Sequence, residues 1–127
     1  MATRQSFTAA TTLPAASLNA MATSMIAMNA QTGTTYTAVL TDDGKLITLS
    51  NASAITFTVP TNGSVAFGIG TQLNIMQLGA GQVTIAAASG VTIYSAGSKL
   101  KTGAQYAVAT VVKTATDTWV AVGNLSA

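Results

Sequence analysis

Few side chains in this sequence can do chemistry. The carboxylates are Asp42, Asp43 and Asp117; the cations are Arg4, Lys45, Lys99, Lys101 and Lys113; and there is no His, Cys or Glu. The two best transition-metal ligands and thiol chemistry are therefore missing, and so is the commonest general base. Asp42 and Asp43 stand side by side before Gly44. Calcium would need several more oxygen ligands at fixed spacing, so this run reads as a hairpin turn. The glycines of GIGTQLNIMQLGAG (68–81) lack the Lys-Ser/Thr of a phosphate loop and open no helix, so Gly79 and Gly81 read as a tight turn.

Ser and Thr are abundant, but without His no hydrolase triad can form. A Ser–Lys pair would need a buried lysine, whereas Lys45, Lys99, Lys101 and Lys113 fall at strand ends or turns, where charge is solvated. The three Asp show no spacing suited to glycoside hydrolysis. The expectation is a non-enzyme with no cofactor and no metal.

The elements that would position any site follow from length and pattern. A chain of 127 residues suggests one domain with one modest core. Only 6% of residues are charged, against about 25% in ordinary domains. The net charge of +2 rests on too few lysines to make the roughly 6–10 phosphate contacts of a typical nucleic-acid binder. No window reaches the roughly 18 apolar residues of a membrane span. The stretch after MATRQS has no continuous apolar run of the signal-peptide kind, so synthesis in the cytoplasm is expected.

Residues 1–12 read as an irregular arm and residues 14–29 as a short helix, with Pro14 in its first turn and Gly33 beyond its end. Leu18, Met21, Met25 and Met28 recur at helical spacing and form one stripe, with Ile26 beside it. So short a helix is marginal alone and must pack on something. Two surfaces qualify: the chain's own β-domain, or a partner that flexible Met side chains can fit. Residues 1–30 are thus an attachment segment, with Leu18, Met21, Met25 and Met28 as its partner-binding residues, and residues 31–127 are a β-domain.

The β-domain reads as short strands: TYTAVL (35–40), KLITLS (45–50), AITFTV (54–59), TQLNIMQL (71–78), QVTIAA (82–87), VTIYS (91–95), QYAVATVVK (105–113) and TWVAVG (118–123). Turn residues fall between them, in DDG, PTNG, GAG, SAGS and KTGA. The expected fold is all-β, a small antiparallel β-sandwich or barrel with a short N-terminal helix and arm. Alternation groups Ile55, Phe57 and Val59 on one face, likewise Leu73 with Ile75, Val83 with Ile85, and Val91 with Ile93. On the penultimate strand it groups Tyr106, Val108 and Val112 as core-facing. Trp119 and Ala121 oppose Val120 and Val122. Tyr36, Tyr94, Tyr106 and Trp119 are either core and interface anchors or a stacking platform for sugars. The remaining strand positions are mostly Thr, Ala, Asn, Gln and Ser. A β-face without charge invites association, so the chain is expected to work inside an assembly.

The pieces TYTAVLTDDGKLITLSNASAITFTVP, VAFGIGTQLNIMQLGAGQVTIA, GVTI and ATVVKTATDTWVAVGNL give this pattern a family likeness. Together they resemble a β-domain that recurs in tailed-bacteriophage virion proteins: minor tail proteins, tail fibres, head fibres and capsid-decorating proteins. The resemblance covers about residues 31–126 and carries no catalytic motif. It implies a place in the virion. The shortness of the chain favours the capsid surface over a projecting fibre. The resulting expectation is a homo-oligomeric, trimeric decoration protein whose partner is the major capsid protein. The alternative is a tail-fibre or head-fibre domain that recognises host surface polysaccharide.

Overall fold

The computed structural model describes residues 26–127. It is all-β, with eleven strands in two mixed sheets. The strands are β1 (Met28–Gln31), β2 (Thr35–Thr37), β3 (Leu46–Leu49), β4 (Ile55–Val59), β5 (Gln72–Gln77), β6 (Val83–Ala87), β7 (Thr92–Ser95), β8 (Lys101–Thr102), β9 (Val108–Ala115), β10 (Thr118–Gly123) and β11 (Leu125–Ser126). A first sheet of six strands runs β1-β3-β5-β9-β10-β7, and a second of five runs β11-β8-β6-β4-β2.

The described residues begin as a winding. Its first six strands alternate between the sheets, and each pairs in parallel with the strand two before it: β1 with β3 and β3 with β5, β2 with β4 and β4 with β6. Leu46 faces Asn74 and Ile55 faces Val83, the same separation in sequence, so a whole turn of the winding repeats in register. The expectation of an antiparallel fold is thus overturned. Antiparallel pairing is confined to β5 with β9, β9 with β10, β6 with β8, and β8 with β11, and β7 joins β10 in parallel. Among the described residues only β9 and β10 are chain neighbours that pair with each other. The physical reason is local. Turn residues specify where the backbone bends, and here most bends carry the chain to the other sheet instead of back along the same one.

The corners of successive turns stack closely. Asn51 Nδ2 donates to the Thr32 carbonyl at 2.8 Å, and Gly81 N donates to the Asn51 carbonyl at 2.8 Å. A Cβ on Gly81 would run into the Ser53 carbonyl, and one on Gly79 would lie 2.7 Å from Asn51 N. These glycines therefore do more than bend the chain. They let one backbone corner rest on another.

Between the sheets lies one core. Ile47, Leu49, Leu73, Ile75, Val111 and Trp119 enter from the first sheet, and Ile55, Phe57, Val59, Val83 and Ile85 from the second. Each such side chain contributes roughly 1.5–3 kcal/mol by leaving water. Trp119 is 1% exposed and meets Phe67 edge-on, with ring centroids 5.6 Å apart. No helix of the described residues is long and apolar enough to cross a membrane.

The N-terminal expectation needs correction at its end. The helix read over 14–29 does not extend to Met28, because Met28–Gln31 is β1 and pairs residue for residue with Leu46–Leu49. The boundary drawn between residues 30 and 31 therefore cuts through a strand. Helical spacing at Met25 and Met28 is outweighed here by the ladder hydrogen bonds that β3 offers. The rest of that expectation, including Leu18, Met21 and Met25, lies outside the described residues.

Candidate docking face

The chemistry-bearing residues come first. Asp42 is fully buried in a 3-10 turn (Leu40–Asp42) and is not the exposed hairpin residue its sequence suggested. The segment holding it joins β2 to β3, which belong to different sheets, so no hairpin forms there. Asp42 Oδ1 accepts from Asn29 Nδ2 at 2.8 Å, and Oδ2 accepts from Tyr36 Oη at 2.6 Å and Val39 N at 3.0 Å. Asn29 Nδ2 also reaches Tyr36 Oη at 2.8 Å, and Gln31 Nε2 donates to Asn29 Oδ1 at 2.8 Å. By register Asn29 lies beside Ile47, Gln31 beside Leu49 and Tyr36 beside Phe57. The network is therefore a polar cap over β1 and β2, the first strands of the described winding. Burial, and then the hydrogen bond given to Asp42, push the Tyr36 phenol up to about 12. A carboxylate with three donors and a phenol held neutral are suited to holding β1 in place and not to proton transfer.

Lys113 is also corrected. It points inward from the middle of β9, is buried, and donates Nζ to Asn62 Oδ1 and to the Phe67 carbonyl, both at 2.6 Å. Asn62 N in turn donates to Asp117 Oδ1 at 2.6 Å. The ammonium thus ties the 60–67 loop to the sheet, and no Ser or Thr hydroxyl among the described residues bonds to it as a nucleophile would. Thr102 Oγ1, buried, donates to Gln77 Oε1 and accepts from Val83 N, which links the two sheets. Asp42, Asp43 and Asp117 are not gathered: no group of three or more His, Cys, Asp or Glu able to hold a metal occurs among the described residues. A cleft of about 460 Å³ beside β10 is lined by Ala96, Lys99, Val120, Ala121, Val122, Gly123 and Leu125, and brings one cation and no carboxylate to bear.

The two outer sheet faces differ sharply. On the second sheet the pairing aligns Thr35, Thr56, Thr84 and Lys101 in one row and Thr37, Thr58 and Ala86 in the next. That face is solvated by hydroxyls. On the first sheet one row runs Tyr94, Val120, Val112 and Gln72. The next runs Val122, Thr110, Asn74, Leu46 and Met28, and the third Val108, Met76, Thr48 and Ala30. None of these carries a formal charge. Tyr94 is 62% exposed, Met28 57% and Val122 52%.

Three of the polar side chains on that face bond to one another. Thr110 Oγ1 donates to Asn74 Oδ1 at 2.8 Å, and Gln72 Nε2 donates to the same oxygen at 3.0 Å. Covering the face would therefore strip less water than its composition suggests.

Sequence reading assigned this face backwards on β9. It placed Tyr106, Val108 and Val112 toward the core, but Ala107, Ala109, Val111 and Lys113 face inward, and Tyr106 and Val108 are exposed. Both faces of β9 are largely apolar, so alternation could not orient it. The decision rests on fit: small Ala109 opposes Ile75 on β5, which the core can accommodate and a second bulky residue would overfill. Of the candidate attachment residues, Met28 belongs to this outer face and Leu18, Met21 and Met25 lie outside the described residues. Trp119 is core and offers no ring to a ligand, whereas Tyr94 does. No protein-family model matches the chain, and no curated protein sequence does.

Proposed function

We propose that this chain is a structural protein of a bacteriophage virion, a small homo-oligomer, trimeric, that decorates or cements the outer surface of the capsid. One observation carries the reading: the outer face of the first sheet is broad, uncharged and partly apolar, while the opposite face is dressed in threonine hydroxyls. A chain that solvates one face and leaves the other bare of charge is suited to an assembly in which the bare face is covered. The resemblance of residues 31–126 to virion β-domains supplies the setting. The polar groups are engaged in bracing the fold, which favours a structural role over a catalytic one. The finer form of the fold belongs to the same reading: the sheet orders begin and end on separate strands, which supports a sandwich over a closed barrel.

In this reading Leu18, Met21 and Met25 meet the major capsid protein, and the polar cap around Asp42 anchors β1, through which that attachment reaches the domain. The test is to add purified protein to capsids lacking it and measure co-sedimentation. Saturable binding at a fixed ratio to the major capsid protein is expected. Failure to bind shells, with the protein folded, would overturn the decoration role.

A second reading has its own observation. The ordered threonine rows of the second sheet form a flat array of hydroxyls of the kind that could meet a host polysaccharide, as in a fibre-borne receptor-binding domain. Specific retention on a glycan array, lost in Thr56→Val, would favour it.

A further inference from the structure

We propose that the outer face of the first sheet is where one copy of this chain meets a second copy; this rests on the assembly reading above and assigns it a surface. Charge comes first. A foreign partner with an ordinary surface carries about one charged residue in four, and each charge set against this face would lose water without finding a counter-charge. A second copy presents a face with no charge to strand. Apolar Val108, Val112, Val120, Val122, Leu46 and Met28 would then meet uncharged surface on the neighbouring copies of the trimer, while the Gln72–Asn74–Thr110 bonds stay intact.

Area agrees. Six strands about 4.8 Å apart span roughly 24 Å, and the face from Gln72 to Leu78 extends about 20 Å along the strands, a plan area of about 480 Å². Side-chain relief raises the accessible area above the plan area, toward the roughly 800 Å² that each partner of a standard interface buries. Leu78, exposed, follows Met76 by two residues at one end of the face, and Tyr94 flanks it at the β7 edge. The second sheet offers no competing apolar surface among the described residues, since its outer rows are mainly threonine.

The experiment uses the full chain. Mass is measured by light scattering over a concentration series for the unsubstituted protein, for Val122→Lys and for Thr37→Lys on the other sheet. Fluorescence of buried Trp119 checks folding in each. Expected is an oligomer for the unsubstituted protein and Thr37→Lys, and a fall to the single-chain mass for Val122→Lys. The chain has no cysteine, so Val108→Cys introduces a single thiol as a clean probe. Maleimide should react about tenfold more slowly, or slower still, at concentrations where copies associate than where they are separate. A single-chain mass at every concentration would remove the assembly reading itself. An oligomer unaffected by Val122→Lys would remove this assignment alone. Protection of the introduced thiol that persists in separated single chains would also overturn it, by showing that the chain's own residues 1–25 cover the face.

Discussion

Removing the Asp42 carboxylate tests how β1 is held. In Asp42→Ala, Tyr36 Oη, Asn29 Nδ2 and Val39 N lose the acceptor that they reach at 2.6, 2.8 and 3.0 Å. A hydrogen bond to a charged group contributes about 1.5–3 kcal/mol, and a buried donor left without a partner costs about 1–3. The three losses are not equal. Asn29 and Tyr36 are only half-buried, so water replaces part of what they lose, and Asn29 Nδ2 keeps its 2.8 Å bond to Tyr36 Oη. Val39 N reaches no second acceptor among the described residues. The expected cost is about 2–4 kcal/mol, which in a chain of this size lowers Tm by about 3–5 °C per kcal/mol. Asp42→Asn keeps one acceptor oxygen but turns an NH2 toward other donors, so it should fall between Asp42→Ala and the unsubstituted protein. Urea denaturation followed by Trp119 fluorescence reads the stability. Hydrogen exchange reads the location: amides of residues 28–31 should lose protection before those of β5 and β9. The reasoning is refuted if Asp42→Ala stays within about 0.5 kcal/mol of the unsubstituted protein, or if β1 keeps its protection while the rest of the sheet loses it.

Three further outcomes are expected. Trp119→Ala should cost about 3–5 kcal/mol, because it empties a site that Phe67 cannot refill from its edge-on position; intact-protein emission as red as free indole would contradict the burial. Gly81→Ala should destabilise by about 1–3 kcal/mol or more, since the added methyl is forced onto the Ser53 carbonyl, whereas Gly63→Ala, with open space around it, should be nearly neutral in thermal melts. Stability should also fall in alkali. The unfolded Tyr36 phenol ionises near its ordinary value of 10.0, while the folded one keeps its proton up to about 12, so as pH rises through that window the unfolded state is favoured. Tyr36→Phe should show a shallower loss of Tm across the same window, and equal slopes would count against the cap.

Much of the β character was legible because it is written locally. Runs such as ITFTV and VTIAA, rich in β-branched residues and separated by turn residues, form strands whatever they pair with. The core positions Ile55, Phe57, Val59, Leu73, Ile75, Val83 and Ile85 followed from alternation, because their neighbours are polar enough to orient the strand. Trp119 was left open between a core anchor and a stacking ring, because Val120 and Val122 on the other face are as apolar as its own.

Tertiary structure decided the rest. Which strand pairs with which depends on where a bend sends the chain, and turn residues do not encode that. The parallel winding was therefore invisible while its individual strands were not. β9 has two largely apolar faces, and only the assembled core turned Ala109 and Val111 inward and Val108 outward. That choice created the uncharged outer face. Burial of Asp42 and Lys113 needed partners far along the chain, Asn29 and Tyr36 for one and Asn62 and Phe67 for the other, so neither could be told from a solvated charge by its neighbours alone. Met28 has helical spacing to Met25, but the backbone of β3 offered it a ladder of hydrogen bonds, and a four-residue register outweighed a weak local preference.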